Sequence, residues 1–193
     1  MNEEATEVTL LVVNVLDSLS IPYLIVGSLA SSLYGLARST LDTDLVADIK
    51  PEHVVGLQQA LKDEFYISQE EIKQAINRCS SFNVIHFSSV FKVDLFVPKN
   101  RPFDKRQFHN RQLVIVTSNP ERSAYIASAE DTILAKLEWY KLGEEISDRQ
   151  WLDILGVIKT QGSRLNLAYL REGAAELRVA ELLDAALEHN DAS

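Results

Sequence analysis

Basic charge is what this chain is short of. Nineteen lysines and arginines stand against 28 aspartates and glutamates, a formal net charge of −9 at pH 7. The long-range field therefore repels phosphate and argues against loose, nonspecific attachment to nucleic acid. Cysteine is nearly absent: Cys79 stands alone, which excludes an internal disulfide. The histidines His53, His86, His109 and His189 lack zinc-ligand spacing, and no Ser-His-Asp or Cys-His set is recognisable from their order. Long apolar runs are missing as well. TLLVVNVLDSL is too short, and too polar at Asn14 and Asp17, to span a bilayer, and MNEEATEV is acidic where a signal peptide is basic. These absences point to a cytoplasmic protein without membrane contact. What is present is enough apolar material, 46% of 193 residues, to bury a full core without disulfides or structural metal.

The periodicity predicts helix over 3–18, strand over 21–26, helix over 28–36, strand over 41–49 and helix over 51–62, with Pro51 in a first turn. Ser68 and Glu71 form a capping box that opens another helix. Strands follow at 82–87, 90–97, 111–117 and 122–127. From residue 129 the pattern is wholly helical: 129–142, 148–160 behind a Ser147-x-x-Gln150 box, and two helices from 164 to about 189. The expected fold class is α/β, a mixed sheet with flanking helices over 1–128 and a helical lobe over 129–193.

Chemistry concentrates in VGSLASSLYGLARSTLDTDL, residues 26–45. Gly27 and Ser28 sit at a strand-to-helix junction, where free backbone N–H groups and the helix dipole favour a phosphate chain, and glycine lets the backbone come close. In the helix that follows, Leu29, Leu33 and Leu36 have apolar spacing. Asp42 and Asp44 lie two apart on an apolar strand and so project to one face. Two such carboxylates repel unless a hard cation lies between them, and Mg²⁺ bound by carboxylates and substrate phosphates fits. The plain alternative is a solvated strand face with incidental acids. A third acid, Asp94, is embedded in FKVDLFVP, where Phe91, Val93, Leu95 and Val97 form one face and Lys92, Asp94 and Phe96 the other. An edge-strand charge is the plain reading of Asp94 by itself. A neighbouring strand that brought it beside Asp42 and Asp44 would give it a shared metal.

Gly27-Ser28, a spacer of 13 residues, Asp42-Thr43-Asp44-Leu45 and a later strand aspartate together resemble the nucleotidyltransferase (DNA polymerase β-like) superfamily. Within it the chain looks most like small bacterial nucleotidyltransferases of the AbiEii type. SAEDTILAKLEWYKL adds to the resemblance, because such proteins carry an acid-then-lysine segment, here Asp131 and Lys136, on a helix after the sheet. Thr43 departs from the pattern, which usually has an apolar residue there.

The resemblance implies Mg²⁺-dependent (or Mn²⁺-dependent) transfer of a nucleotide from an NTP to an acceptor hydroxyl, with release of pyrophosphate. Asp42 and Asp44 would hold the metals, and Asp94 would complete the second metal site or act as base. Lys136 is the first candidate to neutralise the leaving pyrophosphate, Arg38 the second and Lys92 the third, unless Lys92 pairs with Asp94. The acceptor is left open among RNA, a protein side chain and a small molecule, as is a toxin-antitoxin or phage-defence setting with a cognate toxin or antitoxin. A catalytically silent, antitoxin-like binding partner is the alternative.

Two further segments have competing readings. KNRPFDKRQFHNRQ interleaves Lys99, Arg101, Lys105, Arg106 and Arg111 with Phe103 and Phe108, a composition suited to phosphates and base stacking, though a solvated basic loop closing a strand connection is the favoured reading. SDRQWLDILGVIK places Leu152, Leu155 and Ile158 on an apolar stripe beside Trp151, with Arg149 and Asp153 as an i, i+4 surface pair.

Overall fold

The computed structural model describes residues 3–36, 40 and 42–191, which form two compact units. Met1–Val26 with Ser39–Ile126 make up the first, and Gly27–Arg38 with Ala127–Ser193 the second. A single cut near Ser128 does not describe this partition, because residues 27–38 group with the C-terminal helices.

The first unit is built on a seven-stranded sheet in the order β3-β4-β5-β2-β1-β7-β6. The strands are β1 (Tyr23–Val26), β2 (Asp42–Ala47), β3 (Phe65–Tyr66), β4 (Ser81–His86), β5 (Lys92–Phe96), β6 (Gln112–Ser118) and β7 (Glu121–Ile126). β2 and β5 pair in parallel, as do β1 and β7, and the other neighbours are antiparallel. The sheet is therefore mixed, as expected. Alternation along β2 and β5 puts Thr43, Leu45, Ala47, Val93 and Leu95 on a buried face. Helix α1 (Glu3–Ser18) buries Ala5, Val8, Val12 and Leu16, spaced three and four apart, as one stripe toward the core.

Thr43, the polar exception on the buried face, has a partner. Thr9 Oγ1 on α1 donates to Ala5 O at 2.7 Å, so Thr43 Oγ1 donates to Thr9 Oγ1 at 2.9 Å. A buried hydroxyl left unpaired would cost about 1–3 kcal/mol, and this pairing is why threonine is tolerated where an apolar residue is the usual choice.

Between the strands run α3 (Val54–Leu61), α4 (Gln69–Arg78) and α5 (Pro102–Asn110). Ser68 Oγ caps α4 by accepting from Glu71 N, as its capping box predicts. The basic segment is a helix rather than a loop. Pro102 stands at its first turn, and Phe103 and Gln107, one turn apart, are buried. The run of charges hides this short buried face in the sequence, because Phe103 is its one apolar member. β3, of two residues, is also absent from the sequence reading.

The second unit is helical: α2 (Gly27–Tyr34), α6 (Ala129–Leu142), α7 (Asp148–Gln161), α8 (Leu167–Glu176) and α9 (Ala180–Asp191). Ser128, Ser147 and Asn166 cap α6, α7 and α8 through their side-chain oxygens. After α2 the chain passes so close to α7 that a Cβ on Gly35 would lie 2.8 Å from Val157 N. Two expected stripes hold only in part, at Ile158 and Leu29. On α7 the buried face is Ile154, Val157 and Ile158, while Leu152 is 63% exposed. On α2 Leu29 is buried and Leu33 is exposed, and the helix ends at Tyr34, so Leu36, expected on its stripe, lies beyond it and is exposed. Each helix offers two overlapping apolar stripes about 100° apart, and only tertiary packing selects between them.

Among the described residues, no helix is long and apolar enough to cross a membrane.

Tyr23 shows how tightly the sheet closes. Its hydroxyl donates to Asp17 Oδ2 at 3.4 Å and accepts from Tyr125 N at 3.5 Å, and burial pushes its pKa from 10.0 up to about 12. In the helical unit Tyr34 is likewise raised to about 12, by burial and then by the charges of Glu130 and Asp131. The fold favours both phenols un-ionised, so their contribution is intact below pH 10 and is lost as pH rises through about 12. Urea unfolding at stepped pH should therefore give a constant midpoint up to pH 10 and a falling one above it, with a shallower fall in Tyr23→Phe.

Candidate functional site

The central parallel pair collects the acids. Register sets Asp44 opposite Asp94 and Asp42 opposite Lys92. In both strands these residues alternate with the buried ones, so all four side chains share the less buried face of the sheet. Like charges directly opposite each other destabilise a sheet, and the chain supplies its own counter-charge. Lys92 Nζ lies 2.7 Å from Asp94 Oδ2 and 3.9 Å from Asp42 Oδ2. The hydrogen bond to Asp94 holds the Lys92 ammonium above lysine's usual range, partial burial opposes it, and the charges of Asp94, Asp42 and Asp44 add to it. Thr40 Oγ1 lies 3.0 Å from both the Asp42 carbonyl oxygen and Asp42 Oδ1, so its one proton is shared between the backbone and the other oxygen of that carboxylate. Among the described residues, no three His, Cys, Asp or Glu side chains converge closely enough to ligate a metal as they stand.

Asn83 on β4 is the cross-strand neighbour of Asp94 on its other side, and lies on the same face. The row across the sheet therefore reads Val26, Asp44, Asp94, Asn83. The sequence reading passed over Asn83. Its signal is the same as that of Asp94, a polar residue between the buried Phe82 and Val84.

β1 ends at Val26, the cross-strand partner of Asp44, and α2 starts at Gly27, the next residue. Gly27 has φ +64°, a left-handed conformation that glycine adopts without strain. Arg38 lies outside the described residues. Lys136 is neither an exposed lysine nor a free cation: on α6 its Nζ donates to Asp153 Oδ2 at 2.8 Å, and the two side chains are only 9% and 7% exposed. Asp153 is thus buried beneath the helix surface where a pair with Arg149 was expected. Beside Lys136, Asp131 is fully buried and accepts from Tyr169 Oη at 2.6 Å.

The basic segment stands apart from the acid row. Lys105, Phe108 and Arg111 line a cavity of about 300 Å³ with Asp48, Asn100 and Asp104. This cavity lies beyond the C-terminal ends of β2 and β5, whereas Asp42 and Lys92 are the first residues of those strands. Strand rise alone separates Asp42 from Asp48 by roughly 20 Å. Several of its groups are already engaged. Arg101 is paired with Asp104 at 2.9 Å, the Arg111 guanidinium lies 4.4 Å over the Tyr125 ring, and Phe103 is in the core rather than offered for stacking.

No protein-family model and no curated protein sequence matches this chain. Solved structures do. The antibiotic-resistance factor ANT(2'')-Ia is 16% identical, with 99% of this chain and 98% of that one covered and a TM-score of 0.56. An antigenic nucleotidyltransferase-like protein from Paracoccidioides brasiliensis is 20% identical over 96% and 93% of the two chains, TM-score 0.56. The lincosamide antibiotic adenylyltransferase LnuA, solved with lincomycin bound, is 12% identical over 81% and 96%, TM-score 0.51. The fold is that of the nucleotidyltransferases.

Two stability measurements probe this local geometry. Gly27→Ala should cost about 1 kcal/mol, the strain of an L-residue held left-handed, seen as a lower melting temperature in the absence of any ligand. Asp153→Ala should cost about 3 kcal/mol in urea denaturation, because it leaves the Lys136 charge buried without compensation. A loss below about 1 kcal/mol would mark the pair as solvated.

Proposed function

We propose that this chain is a Mg²⁺- or Mn²⁺-dependent nucleotidyltransferase that moves a nucleotide from an NTP to an acceptor hydroxyl and releases pyrophosphate. The observation that carries this reading is the row of acids: Asp44 opposite Asp94 on paired parallel strands, with Asp42 on the same face.

The donor set fits a hard divalent cation. Three carboxylates offer the oxygens that Mg²⁺ prefers, and two of them, Asp94 and Asp42, already lie about the ammonium of Lys92. Asp42, Asp44 and Asp94 would hold the metal. When bound, it would neutralise triphosphate charge and lower the pKa of the acceptor hydroxyl. Asp94, the least exposed carboxylate of the Lys92 pairings at 18%, is our candidate to take the proton from that hydroxyl. Backbone N–H groups at Gly27 and Ser28 would receive phosphate oxygens. Lys136 is proposed for the leaving pyrophosphate, and to serve it would have to leave Asp153. Arg38 remains the second candidate for that role.

For the acceptor we favour a small hydroxylated molecule over RNA or protein. Net charge repels a polynucleotide. Three of the seven groups suited to one, Arg101, Phe103 and Arg111, are engaged within the fold. Two of the similar structures, an antibiotic-resistance factor and a lincosamide adenylyltransferase, are named for antibiotics. The AbiEii-type assignment and a toxin-antitoxin or phage-defence setting rest on the sequence resemblance carried by residues 26–45, Asp94, Asp131 and Lys136.

The test offers each labelled NTP with Mg²⁺ to a panel of aminoglycosides and lincosamides, to total RNA and to lysate protein. Label should enter a small molecule, and Asp44→Asn should abolish transfer in a protein that still folds, as thermal melting would show. Full activity in Asp44→Asn would overturn the metal assignment. Tight NTP binding with label in no fraction would favour the silent binding partner.

A further inference from the structure

Three carboxylates on one sheet face need positive charge whether or not a metal is bound, and Lys92 is positioned to give it. Parallel register places its Cα opposite Asp42, and alternation puts it two residues before Asp94 on the same face. Its ammonium touches Asp94 Oδ2 at 2.7 Å and reaches within 3.9 Å of Asp42 Oδ2. A cation ligated by Asp94 would share that carboxylate with the ammonium, and two positive charges so close together would repel. The lysine side chain is 40% exposed on a flexible four-carbon stem, so it can swing into solvent without opening a cavity.

We propose that Lys92 is a built-in counter-ion that holds Asp94 and Asp42 in the metal-free protein, and that a divalent cation enters only by displacing its ammonium from Asp94. The proposal rests on the metal reading of the acid row given above. It makes Lys92 a positioning residue: it keeps the acids ordered in the absence of metal and sets the metal concentration at which they change partner. Strand alternation puts the acids on one face, and the ammonium then lies between two of them, Asp94 and Asp42.

Direct Mn²⁺ binding, followed by calorimetry or by the EPR signal of free Mn²⁺ without nucleotide, tests it. Lys92→Met should bind Mn²⁺ about 5- to 10-fold more tightly than wild type, the scale of a modest coupling between two occupants of one site. Its metal-free melting temperature should fall, and saturating Mn²⁺ should raise it by more than in wild type. The unaltered protein gives a second measurement: amine acylation at Lys92, read by mass spectrometry, should increase on adding Mn²⁺. Equal or weaker Mn²⁺ affinity in folded Lys92→Met, or acylation indifferent to Mn²⁺, overturns the proposal while leaving the metal site standing. Mn²⁺ binding that is unaffected by Asp44→Asn and Asp94→Asn overturns the metal reading itself, and the counter-ion role with it. Should Lys92→Met not fold, Lys92→Gln makes the same comparison.

Discussion

The parallel pairing of β2 with β5 is the constraint on which the candidate site depends. Side chains alternate across a strand, so a register shift of one residue in either strand would exchange its faces. Asp42 and Asp44 would then turn into the core and Thr43 and Leu45 out of it. The register is pinned from the opposite side, where Thr43, Leu45, Val93 and Leu95 are almost wholly buried. Apolar burial on one face thus fixes the chemistry on the other. Neither strand could supply that placement alone, because β2 carries two of the acids and β5 carries the third.

Charge is handled differently in the two units. On the sheet, Lys92 and Asp42 are each about 40% exposed, so their interaction is softened by solvent and open to exchange with another cation. In the helical unit, Lys136 and Asp153 are withdrawn from water and bound closely to each other. A pair of that kind is costly to break and adds little net stability over apolar packing, though it ties α6 to α7 in one arrangement. The first behaves as a replaceable contact and the second as a fastener. Asp131, bonded to Tyr169, fastens α6 to α8 in the same way.

The basic segment shows how composition misleads. Read as a string, residues 99–111 look like a solvated strip with aromatic rings free to stack. Folded, Pro102 starts a helix, Phe103 goes to the core, Arg101 closes on Asp104 and Arg111 lies over Tyr125. Charges near one another in sequence found partners inside the first unit before any ligand entered. The far end of the sheet thereby acquires a mixed-charge cavity rather than a basic track.

The sequence by itself determined whatever depends on local spacing. Most of the order of helices and strands, the caps at Ser68 and Ser147, and the division of FKVDLFV into an apolar and a charged face were legible, because each follows from backbone periodicity or from one turn's chemistry. Tertiary structure decided whatever depends on which surfaces meet. It put Asp94 opposite Asp44 and Asn83 beside Asp94, gave Thr43 its partner in Thr9, and selected Ile154 over Leu152 as the buried side of α7. It also grouped residues 27–38 with the C-terminal helices and bound Lys136 to Asp153. The reason is range: periodicity tells which residues share a face, but strand order, register and helix rotation are fixed by contacts between segments far apart in the chain.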